Sequence, residues 1–397
     1  MNTLSKRLLS LSPSATFAMS AKSAELKSQG IDVINMSVGE PDFNTPEFIK
    51  EAACKAIGDN ITRYSPVPGY AGLKKAICGK LLRENGLEYQ PSQIIISNGA
   101  KQSITNTVLA LVNPGDEVII PAPFWVSYPQ MAKLAGGEPV FVEAKIEKDF
   151  KITPAQLEAA ITPRTRLLIL CSPCNPTGSI YSAKELEGLA QVIMKHENIL
   201  VISDEIYEHL NYCGQHASIA SVPGMKERTV VVNGVSKAYA MTGWRIGFIA
   251  APEWIAKGCN MLQGQYTSGP CSISQMAAET AWNGDQECVE TMRRAFERRR
   301  DLIVKLAREI PGLEVNVPQG AFYLFPKCSS YFGKSYGDRR IETSTDFAMF
   351  LLEVGHVATV GGDAFGSPEC FRMSYATSDE NITEALRRIK ETVALLA

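Results

Sequence analysis

The sequence predicts an α/β protein with a large domain, built on a mostly parallel seven-stranded sheet flanked by helices. A smaller α+β domain is built from both ends of the chain. Short runs rich in β-branched residues alternate with amphipathic stretches from about residue 46 to residue 285, which is the βαβ rhythm of a parallel sheet. Several runs, such as residues 167–171 and 199–203, are apolar without alternation, as expected of strands buried on both faces.

The individual elements follow from the same patterns. The predicted strands cover residues 93–97, 117–120, 139–142, 167–171, 199–203, 230–232 and 246–250. Helical periodicity predicts helices over residues 69–85, 183–196 and 274–282, and, near the two ends, over 18–29, 286–310 and 376–397. We therefore expect a large domain at 46–285 and a small domain made of 1–45 and 286–397, with the functional site in the cleft between them.

Composition and charge exclude several classes of protein. The 397 residues are 45% hydrophobic and 21% charged, which is typical of a globular chain with more than one domain. A formal net charge of -2 and no apolar stretch of membrane-spanning length indicate neither a nucleic-acid partner nor a membrane partner. The four histidines do not occur at metal-ligand spacing, so we expect no metal.

Cysteine usage indicates the compartment. Ten cysteines are dilute in a chain of this length, and Cys54, Cys78 and Cys171 occur in apolar runs typical of small buried hydrophobic residues. The start of the chain lacks a secretory apolar segment, so we expect a cytoplasmic protein. Cys171 and Cys174 have CxxC spacing. Because the pair opens no helix in a thioredoxin-like context, we expect no redox role for it.

The strongest local signal for chemistry is Lys237. It follows a β-rich run, has Ser236 before it, and is followed by a glycine-containing segment with Arg245. A hydroxyl, a planar cation and glycines that allow close backbone approach are suited to a phosphate group. A lysine beside a phosphate anchor is what a pyridoxal Schiff base requires, whereas a lone lysine after a strand is usually a surface residue.

Polar residues follow two of the apolar runs. Asp204 and Glu205 come directly after one, where open α/β sheets bind ligands, and the segment from Asn175 to Gly178 follows another. Spacing does not choose between the two carboxylates, either of which could instead cap a following helix. The Asn-Pro-Thr-Gly segment by itself is a common turn.

Two further segments offer anion sites. The segment Ser97-Asn98-Gly99-Ala100-Lys101-Gln102 joins a predicted strand to a predicted helix, so its free backbone N–H groups and the helix dipole form a phosphate cradle. The absence of GxGxxG and Walker motifs argues against a dinucleotide or P-loop site. Arg372 lies between apolar neighbours in a predicted strand, either as an ordinary exposed residue or as a bidentate clamp for a carboxylate.

Taken together and in this order, the motifs resemble those of the fold type I pyridoxal-phosphate aminotransferases, in particular the bacterial aspartate aminotransferases of subgroup Ib. The resemblance extends over nearly the whole chain. The segments that carry it are Pro13-Ser-Ala-Thr16, Gly39-Glu-Pro-Asp-Phe43, Tyr64, Gly99-Ala-Lys-Gln102, Trp125-Val-Ser-Tyr128, Asn175-Pro-Thr-Gly178, Ser203-Asp-Glu-Ile-Tyr207, Ser236-Lys237, 243–247, Gly320-Ala-Phe-Tyr323 and Arg372.

The resemblance implies pyridoxal 5'-phosphate as the cofactor and a role for each matching residue. Lys237 would form the Schiff base and carry the Cα proton, and Asp204 would pair with the pyridine nitrogen. Asn175 and Tyr207 would hydrogen-bond the phenolic oxygen, and the Asn175–Pro176 peptide would be cis. The other cofactor contacts would come from Gly99, Ala100, Lys101, Trp125, Ser236 and Arg245, and from Tyr64 of a neighbouring subunit, which implies a homodimer with shared active sites.

The resemblance also implies small-molecule substrates, an amino acid and a 2-oxo acid. Arg372, helped by Gly39 and Asn175 and with Trp125 nearby, would bind the α-carboxylate. Lys101 would bind a second carboxylate, which favours L-aspartate and 2-oxoglutarate, and the nearby segment with Ser14 and Thr16 would help. Relatives that also accept prephenate carry a basic residue shortly before the Pro-Ser-Ala-Thr segment, whereas this chain has Ser12 there.

Two alternatives stay open at this point. One is an aromatic, alanine or kynurenine aminotransferase of the same fold. The other is a pyridoxal-phosphate-binding transcription regulator. Regulators of that kind carry an additional DNA-binding domain before the aminotransferase-like fold, and no basic recognition segment precedes the fold here.

Overall fold

The computed structural model describes residues 4–397 as a mixed α/β structure. Its α-helices are α1 Lys6–Leu9, α2 Ala15–Ser28, α3 Glu47–Gly58, α4 Ala71–Asn85, α5 Ala100–Leu111, α6 Tyr128–Ala135, α7 Pro154–Ala160, α8 Ala183–Met194, α9 Glu253–Tyr266, α10 Ser272–Asn283, α11 Glu287–Arg308, α12 Ser344–Glu353 and α13 Asp379–Val393. Its strands are β1 Ile34–Asn35, β2 Ile94–Ser97, β3 Glu117–Ala122, β4 Glu138–Glu143, β5 Thr165–Cys171, β6 Leu200–Asp204, β7 Thr229–Gly234, β8 Gly247–Ala250, β9 Tyr323–Leu324, β10 Ser335–Tyr336, β11 Arg339–Arg340, β12 Val357–Ala358, β13 Val360–Gly361 and β14 Phe371–Ser374.

The central sheet has seven strands in the order β2-β8-β7-β6-β5-β3-β4. Strands β3 to β7 are parallel to one another, and β8 runs antiparallel to both β2 and β7. These strands are the seven predicted ones, with small shifts at their ends, so the predicted fold class is confirmed. In the register of β5 and β6, Cys171 lies opposite Asp204, which brings the carboxyl ends of both strands to one edge of the sheet.

Helices cover both faces of this sheet, which explains the apolar runs without alternation. Along β3, Val118 packs in the same cluster as Ile104 and Val108 of α5. The next residue, Ile119, packs in a different cluster with Leu186 of α8. Successive side chains of a strand point to opposite faces, so both sets must be apolar when both faces are buried.

The two ends of the chain pack against each other. Strand β1 pairs in parallel with β12, and β13, β14 and β9 form a separate antiparallel sheet. Ile34 and Met36 share one buried cluster with Phe296, Phe350 and Ile389. The division into 46–285 and 1–45 with 286–397 stays a prediction, and this packing supports it.

The helix ends and one cysteine differ from expectation. The helix predicted over 18–29 begins at Ala15, and the one predicted over 376–397 begins at Asp379, where the Ser378 hydroxyl accepts a hydrogen bond from the Asn381 N–H. Cys54, expected to be buried, is exposed, because α3 buries Ile49, Ala53 and Ala56 and turns the next residue after Ala53 outward. Cys171 is buried, and Cys78 is half-buried.

Within residues 4–397, no helix has both the length and the apolar character to cross a bilayer.

Candidate active site

A cavity of about 810 Å³ opens at the carboxyl ends of the parallel strands. Most of the site residues expected from the sequence line it, although they come from distant parts of the chain. They are Ser14, Thr16, Gly39, Ala100, Lys101, Trp125, Asn175, Asp204, Tyr207, Ser236, Lys237, Arg245 and Arg372. Gly99 lies directly before one of these residues, and Tyr64, with 99% of its surface exposed, is not part of this wall.

Lys237 projects from the loop after β7, and its Nζ donates a hydrogen bond to the Gly39 carbonyl oxygen at 2.6 Å. Burial lowers the pKa of this amine from 10.5 to about 8, and the nearby guanidinium groups of Arg245 and Arg372 act in the same direction. The amine therefore loses its proton far more easily than an exposed lysine does. This property suits a group that must act as a nucleophile and as a base.

Asp204 ends β6 and is almost completely buried. The Tyr128 hydroxyl donates to its Oδ2 at 2.6 Å, and the Ile206 N–H donates to Oδ1 at 3.3 Å. Burial raises the pKa of this carboxyl from 3.8 to about 6, despite these hydrogen bonds. No ion pair within residues 4–397 includes Asp204, so the carboxylate faces the cavity without a cation.

Glu205 has a different environment. Its carboxylate accepts hydrogen bonds from the hydroxyls of Ser203 at 2.8 Å and Ser218 at 2.5 Å, and it lies 3.0 Å from His216 Nε2. It is not part of the cavity wall. The structure therefore distinguishes the two carboxylates that spacing left open. The capping alternative is wrong for both, because a turn follows β6 in place of an α-helix.

Arg372, on β14, is 2% exposed and forms no ion pair within residues 4–397. Its Nη1 donates to Asn175 Oδ1 at 2.9 Å, and its Nη2 donates to the Ser37 carbonyl oxygen at 2.6 Å. Its Nε is buried without a hydrogen-bond partner among the described residues, and the guanidinium lies 4.6 Å from the Tyr323 ring centre. A guanidinium fixed in this way, with unused hydrogen-bonding capacity, is suited to a carboxylate. The Asn175–Pro176 peptide is cis, as predicted.

The start of α5 forms an anion cradle. The N–H groups of Ala100 and Lys101 precede the first intrahelical hydrogen bonds and have no acceptor in the helix. A Cβ at Gly247 would collide with the backbone nitrogen of Ala100, and a Cβ at Gly99, whose φ is +80°, would collide with the Arg245 guanidinium. Glycine at both positions therefore allows strand β8 and the Arg245 guanidinium to lie directly against the start of α5.

Two other groups complete the cradle. Arg245 has a positive φ of 57°, and its guanidinium donates to the carbonyl oxygens of Thr242 at 2.9 Å and Asn98 at 3.1 Å. These bonds hold the guanidinium beside the start of α5. The buried Ser236 also lines the cavity, where its hydroxyl can donate.

Lys101 and Trp125 form another part of the wall. The ammonium of Lys101 lies 4.8 Å from the Trp125 ring centre and 5.9 Å from that of Phe17, and it forms no ion pair among the described residues. Burial lowers its pKa, and Arg245 adds to the effect. Ser14 and Thr16, at the start of α2, line the same cavity. A second cation is therefore available in the cavity.

Several residues of the cavity wall have no role among the sequence-based expectations, and Tyr128, Tyr323 and Glu40 are three of them. Tyr128 is the hydrogen-bond donor to Asp204, and Tyr323 forms a hydrogen bond of 2.8 Å with the Tyr207 hydroxyl. A Cβ at Gly39 would collide with the Tyr323 hydroxyl, so glycine is needed at that position. Glu40 accepts a hydrogen bond from Thr242. Both tyrosines stand in the motifs that carry the resemblance, which is the signal that could have found them.

Comparison with known proteins agrees with this geometry. The family described as Aminotransferase class I and II matches residues 31–389 of the chain. The chain belongs to the aminotransferase class I and II family. It is 49% identical to the aspartate/prephenate aminotransferase of Cereibacter sphaeroides, with 99% of both chains covered.

Two solved structures of family members are also similar to the chain. The aspartate aminotransferase of Rhizobium meliloti superposes with a TM-score of 0.97 at 44% identity, with all of both chains covered. The aspartate aminotransferase of Thermus thermophilus, solved with maleate, superposes with a TM-score of 0.93 at 42% identity, covering 99% of this chain and all of that one.

Aminotransferases of this family depend on pyridoxal 5'-phosphate, and the cavity fits that cofactor. The aldehyde of the cofactor is bound by an amine, and its phosphate is bound by several hydrogen-bond donors. Its protonated pyridine nitrogen is stabilised by an anion. The cavity has the Lys237 amine, the cradle at the start of α5, and the unpaired Asp204 carboxylate. Among the described residues, neither Lys237 nor Asp204 forms an ion pair, so both charged groups are available to a ligand in the cavity.

Proposed function

We propose that this aminotransferase transfers the amino group of L-aspartate to 2-oxoglutarate, giving oxaloacetate and L-glutamate. The observation that carries the proposal is that two cations on the wall of one cavity, Arg372 and Lys101, form no ion pair with any described residue. Aspartate, glutamate and their 2-oxo acids each have two carboxylates, and a cavity that excludes water must offer a cation to each. The names of similar enzymes and the maleate complex of one of them support a dicarboxylic substrate.

The cofactor supplies the electron sink that makes the Cα proton of an amino acid removable. Lys237 would hold it covalently, Asp204 would face its ring nitrogen, and the cradle of Ala100, Ser236 and Arg245 would bind its phosphate. Asn175 and Tyr207 would lie near its phenolic oxygen, with Trp125 against the ring. A carboxylate about 4 Å from a cation at an effective dielectric near 20 stabilises the positive charge by roughly 4 kcal/mol, which is about three pKa units.

The chain's own groups then have distinct tasks. Lys237, with a pKa of about 8, can take up and release a proton at Nζ near neutral pH. Although burial raises the pKa of Asp204 to about 6, this carboxyl is mostly anionic near pH 7, and the hydrogen bonds from Tyr128 and the Ile206 N–H favour its charged form. Arg372 fixes the α-carboxylate, since Asn175 and the Ser37 carbonyl already orient its guanidinium.

The homodimer with shared sites is part of this proposal. Tyr64 is almost fully exposed and lies outside the cavity of its own chain, as a residue that completes a partner's site would. Mixing the inactive variants Tyr64→Ala and Lys237→Ala tests this point, because a mixed dimer has one site with both defects and one with neither. Activity that returns on mixing supports the shared site, and activity that never returns contradicts it.

We also propose a reducing compartment for the protein, since all ten cysteines are free thiols.

We propose further that aspartate is preferred to prephenate. Ser12 stands where relatives that accept prephenate carry a basic residue, so it brings no cation, and its backbone N–H donates to Gln130 Oε1 at 2.9 Å.

The visible absorption spectrum of the purified holoenzyme tests the cofactor, and its change on adding aspartate tests the substrate. We expect a yellow protein whose spectrum shifts with aspartate in the absence of any 2-oxo acid. Turnover with aspartate, alanine and phenylalanine, each with 2-oxoglutarate, then distinguishes the alternatives. The aspartate assignment is wrong if alanine or phenylalanine reacts faster than aspartate.

A further inference from the structure

Two cysteines beside the cavity, Cys171 and Cys174, have no role in the proposed transamination. Cys171 ends β5 and lines the main cavity, and Cys174 follows three residues later, after a bend at Ser172 and Pro173. Both also line a second void of about 20 Å³, together with Tyr128 and Ser179. A void of this size admits one molecule about as small as water. The bend therefore turns both cysteines toward the same small space.

The two thiols have different surroundings. Cys171 is buried, and its thiol donates to the Pro173 carbonyl oxygen at 3.3 Å. Cys174 is only partly buried, and its Sγ lies 3.8 Å from the Pro123 carbonyl oxygen. The adjacent Cys171 thiol lowers the pKa of Cys174, with further help from Thr177, and the same contact raises the pKa of Cys171. A more exposed and more acidic thiol beside a second thiol is the arrangement of redox-sensitive cysteine pairs.

Although the sequence alone predicts no redox role for this CxxC pair, the shared void brings the two thiols together, and we propose that Cys171 and Cys174 form a reversible disulfide when the protein meets a hydroperoxide. The Cys174 thiolate attacks one peroxide oxygen, an S–O bond forms, the O–O bond breaks, and the other oxygen leaves as an alcohol or water after taking up a proton. The Cys171 sulfur then attacks the Cys174 sulfur, an S–S bond forms, and the S–O bond breaks with loss of water. Two electrons pass from the thiols to the peroxide, and a dithiol reductant reverses the change.

The position of the pair connects this modification to the active site. Asn175 follows Cys174 directly, and its side chain accepts the hydrogen bond that orients Arg372. Cys171 lies opposite Asp204 in the sheet register, and Tyr128 lines the void beside both cysteines. Drawing the two sulfur atoms into a covalent bond displaces the turn that carries Asn175. Because displacement of a substrate-positioning group by about 1 Å can cost roughly 100-fold in rate, we expect the oxidised enzyme to lose about that much of its kcat/KM.

The test treats the holoenzyme with hydrogen peroxide, blocks the remaining thiols with an alkylating reagent under denaturing conditions, and identifies peptides by mass. We expect the peptide with Cys171 and Cys174 to lose two hydrogen atoms and escape alkylation, and dithiothreitol to restore both thiols. The mass result does not depend on the proposed function, whereas the rate result does. An oxidised peptide with an unchanged rate therefore overturns only the link to the active site.

Variants separate this pair from the other cysteines. Cys174→Ser and Cys171→Ser should each abolish the disulfide. When each variant is compared with itself before peroxide treatment, the reversible loss of kcat/KM should therefore disappear. In Cys171→Ser, the Cys174 sulfenic acid should persist and react with dimedone. Cys213→Ser, at an exposed cysteine outside both cavities, is the matched control and should stay as sensitive as the wild type. Two free thiols on the peptide after peroxide treatment, or equal sensitivity in Cys174→Ser, would overturn the proposal.

Discussion

Charged side chains are buried in two neighbouring regions, and the contrast between them separates function from structure. The first is the cavity wall with Asp204, Lys237 and Arg372. The second, which we call the buried ion network, consists of Lys80, Glu84, Glu205, Glu208, His209 and His216. Asp204 and Glu205 are adjacent in the chain, yet they belong to different regions. Asp204 ends β6 and lines the cavity, whereas Glu205, the first residue after β6, contacts Ser218 and His216.

In the buried ion network every charge has a partner. The fully buried Lys80 ammonium contacts Glu208 and donates to Asn85 Oδ1 at 2.8 Å, and it lies 3.6 Å from Glu84. His209 Nε2 lies 3.0 Å from the same Glu84. Glu84, Glu208 and His209 come close enough to share a metal ion, but Lys80 already provides the positive charge between these carboxylates.

In the cavity wall, by contrast, Asp204, Lys237 and Arg372 form no ion pair with any described residue. A buried charge without a partner destabilises a fold, so such charges persist where a ligand supplies the partner. The comparison therefore predicts that substitutions in the cavity wall reduce turnover with little loss of stability. Substitutions in the buried ion network should do the reverse.

The largest effect is expected at Lys237. Lys237→Ala should keep weak cofactor binding, because the phosphate cradle is unchanged, but turnover should fall by several orders of magnitude. Borohydride reduction of the wild-type holoenzyme, followed by peptide mapping, should place the cofactor on the peptide with Lys237. Cofactor found on Lys22 or Lys257 would contradict the assignment.

The matched pair Asp204→Asn and Glu205→Gln tests the comparison directly. Asp204→Asn keeps the shape but removes the negative charge opposite the ring nitrogen, so kcat should fall about 100- to 1,000-fold. Glu205→Gln should retain most of the turnover and lose about 1–3 kcal/mol of unfolding free energy, because its hydrogen-bonded contacts are with His216 and two serines. Steady-state kinetics and urea unfolding measure the two effects. Equal turnover in both variants would show that the contrast between the regions has no functional meaning.

The two cations of the cavity should differ in the substrates they affect. Arg372→Leu should reduce turnover of every amino acid, whereas Lys101→Ser should leave the backbone contact to the phosphate and affect mainly dicarboxylic substrates. A lost charge-assisted contact in a closed site corresponds to about 30- to 1,000-fold in kcat/KM. Comparing aspartate with phenylalanine measures the split. If Lys101→Ser lowers both equally, Lys101 acts through the cofactor, and dicarboxylate specificity has another source.

The smallest effect concerns stability and pH in the cofactor-free protein. The pKa of Asp204 is about 6 in the folded chain and 3.8 when unperturbed, so the folded state retains this proton over a range where the unfolded state has lost it. Stability therefore falls as pH rises between these values, by at most about 3 kcal/mol for this group. Asp204→Asn removes this dependence, so its stability relative to wild type should increase from about pH 4 to about pH 7 in chemical unfolding. A difference that is constant with pH would contradict the pKa shift of Asp204.

Much of the site was predictable from the sequence because its residues stand in motifs at the ends of recognisable strands. Lys237, Asp204 and Asn175 follow apolar or β-rich runs, and parallel strands bring their carboxyl ends to one edge. Tyr128 was not assigned because it contacts Asp204 from 76 positions away in the chain. No periodicity within one element carries information about such a contact.

The sequence by itself determined the βαβ order, the seven strands of the central sheet and the chemical types of residue around the cavity. Local hydrophobic patterns and turn residues specify these features without reference to the rest of the chain. Only the tertiary structure decided that Asp204 faces the cavity while Glu205 joins the buried ion network. It alone decided that Arg372 is buried without an ion pair to any residue from 4 to 397, and that Cys171 and Cys174 share one void. Each of these depends on which side of an element faces which neighbour, and packing between distant segments determines that.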